Sequence, residues 1–270
     1  MEYDSPIPLS DAATNHLIRF PKLHTLYIRS LPPNYSTSPF SLVFPSLKDL
    51  TIGEGAASEW LLLFERLENC GSAPLSKAKE SMKSLDIENL SSVLNIDTSF
   101  VSPIQRFRNL VDLLIENSCR GGYGGSHCTF RLGDGNVTEL VMALTQLEIL
   151  VLGRACFENT CATTVACLLP ISVHCVKLRM LAIHFNTTSI VENFKNTSED
   201  PRFQELCSLP RCQLTSLDVH RIPLTLDELG LETVARGMIG VFPSLTSIRC
   251  SGFDQSWYEL SDKIAYLQQE

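Results

Sequence analysis

The sequence lacks clusters of basic residues, and this absence argues against a protein that binds nucleic acid. Lys and Arg together number 22 against 30 Asp and Glu, so the 270-residue chain carries a net charge of −8. Surfaces that bind DNA or RNA group Lys and Arg opposite the phosphates. We therefore predict no nucleic-acid partner.

Long apolar runs and a secretory signal are also absent. No stretch approaches the ~18 uninterrupted apolar residues that a membrane-spanning helix requires. Residues 1–20 contain the acids Glu2 and Asp4 and no apolar segment of the kind found in signal peptides. The sequence therefore predicts no membrane partner and no export.

The ten cysteines follow neither a disulfide framework nor a metal motif. No Cys-x-x-Cys pair occurs, and the cysteine content is below the ~8–10% typical of disulfide scaffolds. Reduced, mostly buried thiols are expected, which predicts a cytoplasmic or nuclear location. Five Asn-x-Ser/Thr sequons would accept glycans in a secreted protein, but we interpret them as chance because no export signal accompanies them.

No motif for enzymatic chemistry is present. The glycine-rich stretch Arg120–Cys128 lacks the Lys of a phosphate-binding loop and is expected to be an insertion between repeats. His127–Cys128 and His174–Cys175 place imidazole beside thiol, but adjacency supplies neither the geometry nor the oxyanion site that a Cys nucleophile needs. We therefore predict no enzyme activity, no metal and no cofactor.

What the sequence does contain is a repeated segment. The letters FPSL occur at Phe44–Leu47 and Phe242–Leu245, and FPKL occurs at Phe20–Leu23. The final Leu of each is followed by apolar residues three and five positions later, with Cys250 in the last position of the copy at Phe242–Leu245. Eight segments share this spacing, with a mean period of about 32 residues and starts at Leu23, Leu47, Met82, Leu110, Leu147, Leu178, Leu214 and Leu245.

The offsets indicate strands with helices between them. Positions i+3 and i+5 point the same way in a strand but lie on different faces of a helix. A helix is predicted over 57–70, and capping boxes with a Glu three residues later predict helices that begin near Asn136, Thr225 and Ser256. Each unit therefore reads strand, loop, helix, loop, and is too small to bury its apolar faces without its neighbours.

From Leu23 to about Phe253 the pattern resembles leucine-rich repeats of the intracellular, helix-containing type. The spacing is irregular, and the family's Asn/Cys position holds an asparagine only at Asn186, so the turns must be held without an asparagine ladder. We expect an α/β fold that is an irregular leucine-rich-repeat solenoid, with parallel strands on the concave side and helices and loops on the convex side. An unrelated α/β fold is the alternative.

The segments FPSLKDLTI and FPKLHTLYI, and residues 214–252, resemble the repeats of fungal F-box proteins. In that family the repeats select a substrate, while a separate F-box holds the Skp-type adaptor of a cullin–RING ubiquitin ligase. Residues 1–22 show no F-box pattern, so a Skp-type adaptor is expected only if an F-box lies upstream. We assign 23–253 to about eight repeats and 254–270 to a C-terminal capping helix. The chain is expected to be a fragment, a truncated gene model or a degenerate paralogue.

The residues that alternate with the buried Leu and Ile positions form the candidate site. They should point outward along the concave face, with three acidic units followed by two apolar and two polar ones. The apolar part is either a binding surface or a strip covered by an inserted loop. The predicted partner-binding residues are Asp49, Asp86, Glu88, Asp112, Glu116, Leu114, Ile149, Val151, Met180, His184, Asp218 and His220.

Three functions follow from these observations. The first is a non-enzymatic recognition module similar to the substrate-binding repeats of an F-box protein, whose protein partner carries Lys or Arg beside apolar anchors. The second is a stand-alone leucine-rich-repeat scaffold protein. The third is an enzyme that uses a Cys/His pair.

Overall fold

The main feature of the computed structural model is one parallel sheet of eight strands that lie side by side in chain order. The structure describes residues 16–30, 40–54, 63–64, 78–89, 95–117, 129–153, 161–199, 201, 204–205, 208–220, 222–250 and 254–269. The eight strands are β2 (Thr25–Ser30), β4 (Asp49–Glu54), β5 (Ser84–Asn89), β7 (Asp112–Asn117), β9 (Ile149–Leu152), β10 (Met180–Ile183), β11 (Ser216–His220) and β12 (Ser247–Cys250). Each strand coincides with one predicted unit. The prediction of an α/β fold with parallel strands is therefore confirmed.

Short strand pairs and helices occupy the segments between these strands. The pairs are β1 (His16–Arg19) with β3 (Phe40–Val43), and β6 (Asn95–Ile96) with β8 (Thr129–Phe130). The helices are α1 (Ala78–Ser81), α2 (Thr98–Val101), α3 (Asp134–Ala143), α4 (Leu168–His174), α5 (Ile190–Glu199), α6 (Glu228–Val241) and α7 (Gln255–Leu267). The helix predicted over 57–70 lies outside the described residues except for Leu63 and Phe64, which are buried. None of the helices in the described ranges is long and apolar enough to cross a membrane.

The Leu and Ile side chains of one sheet face pack against the apolar sides of the helices. They form one buried cluster that includes Leu150 from β9, Leu140 from α3 and Met238 from α6. Leu150 is paired in register with Leu113 on one side and Leu181 on the other, and all three are fully buried. We call this side the core face and the opposite side the outer face.

The FPSL motif is a tight turn that leads into a strand. In Phe44–Leu47 the Leu47 amide donates to the Phe44 carbonyl at 3.2 Å, and both side chains are buried. The turn therefore delivers two apolar side chains to the core and leaves the two central residues at the surface. The same closing bond forms in Phe20–Leu23, Phe107–Leu110, Leu144–Leu147, Cys175–Leu178 and Phe242–Leu245.

Shared backbone carbonyls connect six of the seven successive pairs of units. The His24 carbonyl accepts from the amides of Lys48 at 2.8 Å and Asp49 at 3.0 Å, which belong to the following unit. The carbonyls of Lys48, Lys83, Val111, Glu148 and Thr215 each accept two consecutive amides in the same way. Polar side chains add further links, such as Ser46 Oγ to the Pro21 carbonyl at 2.8 Å. These bonds fix the beginning of a strand to the unit before it.

The three helices predicted from capping boxes exist, but their predicted capping residues are wrong. Helix α3 begins at Asp134, and Asn136 Oδ1 instead accepts from the Gly133 amide at 3.1 Å. Helices α6 and α7 are capped by Asp227 and Asp254, whose carboxylates accept from the first-turn amides of Gly230 at 2.7 Å and Ser256 at 3.0 Å. An Asp at the helix N-terminus combines a hydrogen bond with favourable charge, so it outcompetes the neighbouring Thr or Ser.

Helix α7 packs against the last strand of the sheet. Its residues Trp257, Leu260 and Ile264 are fully buried. Trp257 Nε1 donates to the Ile222 carbonyl at 2.6 Å, and Ser261 Oγ accepts from the Ile248 amide of β12 at 3.1 Å. The helix thus covers both the core and part of the β12 backbone.

We expect Leu150→Ala to lower the free energy of unfolding by about 2–5 kcal/mol, because it leaves a cavity between two neighbouring strands. Thermal and urea unfolding measure the loss. The exposed Met142 of α3 offers a control, since Met142→Ala removes a side chain of similar size that is 56% exposed. Equal effects of the two substitutions would contradict the strand register.

Two glycines of α6 form a matched pair for testing the packing of α5 on α6. A Cβ at Gly237 would clash with the Phe194 ring of α5, whereas nothing lies within 4 Å of a Cβ at Gly240. Alanine favours a helix over glycine by about 1 kcal/mol. We expect Gly240→Ala to raise the free energy of unfolding by ~0.5–1 kcal/mol. Gly237→Ala should lower it by about 1–3 kcal/mol because the buried Phe194 must move. Urea titration of the two variants distinguishes these signs, and a gain for both would rule out the contact.

Candidate partner-binding face

The strand register aligns the outer-face residues of neighbouring units in rows. The first row pairs Thr25, Asp49, Ser84, Asp112, Ile149, Met180, Ser216 and Ser247 in turn. The second row pairs Tyr27, Thr51, Asp86, Leu114, Val151, Ala182, Asp218 and Arg249. In a third row Glu88 lies opposite Glu116. The alignment of alternating residues that the sequence predicts is therefore present at these positions.

The acidic patch, defined as Asp49, Asp86, Glu88, Asp112 and Glu116, comes from three neighbouring strands. Burial, together with the smaller effect of the Glu88 and Glu116 charges, raises the pKa of Asp86 to about 6. These three carboxyl groups therefore interact, although they belong to two strands. Their arrangement concentrates negative charge within a half-buried region of the outer face.

Asp112, in the first row of the patch, interacts electrostatically with a neighbouring ion pair. Burial raises the pKa of Asp112. The negative charges of Glu148 and Asp49 raise it as well, and the positive charge of Arg179 lowers it. Glu148 and Arg179 form an ion pair with an N–O separation of 2.5 Å. Sequence reasoning did not single out this pair. The signal was available, because both residues stand immediately before a strand in consecutive units.

The apolar part of the outer face divides into buried and accessible positions. Val151 is 0% exposed and Ala182 is 2% exposed, yet neither belongs to the core cluster on the opposite face. Burial at these two positions agrees with the covered-strip alternative. Leu114, Ile149 and Met180 are half-buried and reach the surface beside the acidic patch.

The polar residues predicted at the far end of the face lie in different surroundings. His184 is buried, with its carbonyl accepting from Cys161 Sγ at 3.2 Å, and its amide donates to the Leu152 carbonyl at 3.3 Å. Asp218 is half-buried in the second row, between Ala182 and Arg249. The backbone of His220 ends β11, while its side chain lies outside the described residues. Of these three residues, Asp218 is therefore the one whose side chain the structure shows to be partly accessible.

The Cys/His pairs do not assemble a nucleophile in the described structure. Cys175 is fully buried, and burial raises its pKa to about 12, so the thiol stays protonated near neutral pH. Burial also raises the pKa of Cys161, Cys167 and Cys212. The pair His127–Cys128 lies outside the described residues. Across the described residues, no group of three or more His, Cys, Asp or Glu side chains could hold a metal ion.

Because the pKa of Asp86 is raised, replacing it with a neutral residue should stabilise the fold by an amount that depends on pH. The carboxyl group has a pKa of about 6 in the folded chain and an ordinary value of 3.8. Its ionisation therefore lowers the stability of the fold progressively as the pH rises from 3.8 to about 6, and the full loss is present at higher pH. We expect Asp86→Asn to stabilise the protein by about 1 kcal/mol at neutral pH, a value reduced for the partial exposure of the group, and by almost nothing near pH 3.5.

Urea unfolding of the Asp86→Asn variant at both pH values measures this gain. Glu139→Gln removes the same charge from an exposed position on α3 and should show no comparable pH-dependent gain. A gain from Asp86→Asn that is the same at both pH values would show that the carboxyl group is not electrostatically strained.

Comparison with known proteins assigns the chain to no family. No protein-family model matches its sequence, and no curated protein matches it.

Proposed function

We propose that this chain is a non-enzymatic protein-recognition module whose outer face binds a protein partner through Lys or Arg side chains. The observation that carries the proposal is the alignment of Asp86, Glu88 and Glu116 on neighbouring strands, where burial and mutual repulsion raise the pKa of Asp86. A cation placed against these groups would relieve the repulsion. Strained carboxylates on an accessible surface are typical of functional sites.

The partner is expected to combine positive charge with apolar side chains. Leu114 lies in register with Asp86, and Ile149 lies in register with Asp112, so half-buried apolar residues border the acidic patch directly. Complementary charge accelerates encounter, while apolar contact slows dissociation. A segment with Lys or Arg next to Leu, Met or an aromatic residue suits this surface.

We further propose that the units form an irregular leucine-rich-repeat solenoid similar to the substrate-binding repeats of a fungal F-box protein. Support comes from the chain-order parallel strands, the repeated Phe-x-x-Leu turns and the carbonyls that link successive units. In such a protein the repeats would select a substrate for a cullin–RING ubiquitin ligase in the cytoplasm or nucleus. A stand-alone scaffold protein is the second candidate, since the same face would serve either role.

Co-precipitation with a Skp-type adaptor separates these two candidates. The full-length native transcript is expressed in parallel with residues 1–270. An F-box adaptor predicts that the native transcript product binds the adaptor through residues outside the repeats. A native product that recruits no adaptor but still binds a partner through the outer face would favour the scaffold.

Charge reversal tests the acidic patch directly. We expect Asp86→Lys with Asp112→Lys to weaken binding of a labelled peptide of alternating Lys and Leu by about tenfold or more and to reduce its salt dependence. Fluorescence anisotropy across a salt series measures both effects. The matched control reverses two exposed helical acids, Glu139 on α3 and Glu192 on α5. Equal affinities of the two double variants would show that binding reflects only net charge.

A further inference from the structure

A groove lies beside the turns that lead into two of the strands. Two neighbouring depressions of about 700 and 470 Å³ share Arg108, Asn109 and Ala143, so they form one continuous groove. Gln105 and Arg106 border its first part, and Gln146 borders its second. We call this surface the turn groove. Among its described lining residues, none belongs to a strand or to the acidic patch.

The turn groove lies on two consecutive turns, and the first and last residues of each turn are buried in the core. Arg108 and Asn109 are the central residues of the turn Phe107–Leu110, which is closed by a bond of 3.0 Å from the Leu110 amide to the Phe107 carbonyl. Phe107 and Leu110 are buried. Gln146 takes the position of Asn109 in the next turn. The backbone that presents these side chains is therefore fixed by packing.

The side chains that line the turn groove include two guanidinium groups and three amides. Asn109 Nδ2 donates to the Glu80 carbonyl at 2.8 Å, which fixes its amide, and Lys177 Nζ donates to Gln146 Oε1 at 2.7 Å, which brings another cation close. Arg108 is exposed and has no hydrogen-bond or ion-pair partner among the described residues. Glu80 is the one acidic side chain that lines the described groove.

We propose that the turn groove binds an acidic peptide segment of a partner protein, with Arg106 and Arg108 contacting its carboxylates. A guanidinium group donates two parallel hydrogen bonds to a carboxylate, and neighbouring amides satisfy the remaining oxygens. The groove extends over two turns, which suits an extended chain better than a single small anion. The chain as a whole carries a charge of −8, so attraction of an acidic ligand must arise locally.

This inference does not depend on the proposed function of the outer face. The two surfaces have opposite charge and would select different segments, one basic and one acidic. A single partner with both kinds of segment, or two partners, could occupy them together. Each surface can therefore be tested while the other is left intact.

The test uses a labelled hexaglutamate peptide and the intact chain at about 0.15 M salt, where charges more than ~8 Å away are screened. We expect Arg108→Ala to weaken binding about tenfold, and Arg108→Lys to weaken it by a smaller factor because the charge remains but the paired donors are lost. Glu80→Gln should strengthen binding, since it removes the repelling carboxylate. A variant that merely disturbed the fold would not produce gains and losses in this pattern.

Two controls separate the turn groove from general electrostatics. Arg249 is exposed on β12 and lines no part of the groove, so Arg249→Ala should change affinity by less than about twofold. The double reversal of Asp86 and Asp112 should not weaken hexaglutamate binding, even if it abolishes binding of the Lys–Leu peptide.

Three results would overturn the proposal. One is equal affinity of hexaglutamate for the wild type and Arg108→Ala, and another is equal affinity of the wild type for hexaglutamate and hexaglutamine. The third is displacement of hexaglutamate by inorganic phosphate but not by acetate at matched ionic strength, which would assign the turn groove to phosphate groups.

Discussion

At six of the seven junctions between strands of the sheet, a single backbone carbonyl just before one strand sets the position of the next unit. It accepts two consecutive amides, as the His24 carbonyl does from Lys48 and Asp49, so the following strand is fixed both in register and in direction. The starts of the units are separated by 24 to 37 residues, yet the strands remain aligned. The connecting segments can therefore differ in length without disturbing the rows of the outer face.

The same alignment that orders the sheet also creates its electrostatic strain. Parallel strands in register bring equivalent positions of neighbouring units within side-chain reach. Where those positions are acidic, as at Glu88 and Glu116, repulsion accumulates along the row. The strand register thus gathers similar side chains from neighbouring units into one extended patch.

The sequence was sufficient to predict the strands because their signal is local. Buried residues at i, i+3 and i+5 specify both the strand and the side chains that face the core, as Leu147, Leu150 and Leu152 illustrate. Helix caps were harder, since Asp227 competes with Thr225 over a distance of two residues. The burial of Val151 and the raised pKa of Asp86 depend on groups distant in sequence, which no local pattern reports. The turn groove was not predicted, because polar residues such as Arg108 and Asn109 are common in surface turns.

Chain-order pairing has a consequence for how the protein is made. Every strand of the eight-stranded sheet after the first lies beside the one synthesised just before it, so no pairing must wait for a later segment. Each closure spans about one unit, and the entropy lost in closing a loop varies only slowly with its length. Structure can therefore grow in steps as the chain leaves the ribosome. Mechanical force applied at the ends should likewise peel units away successively, since each is held mainly by its immediate neighbours.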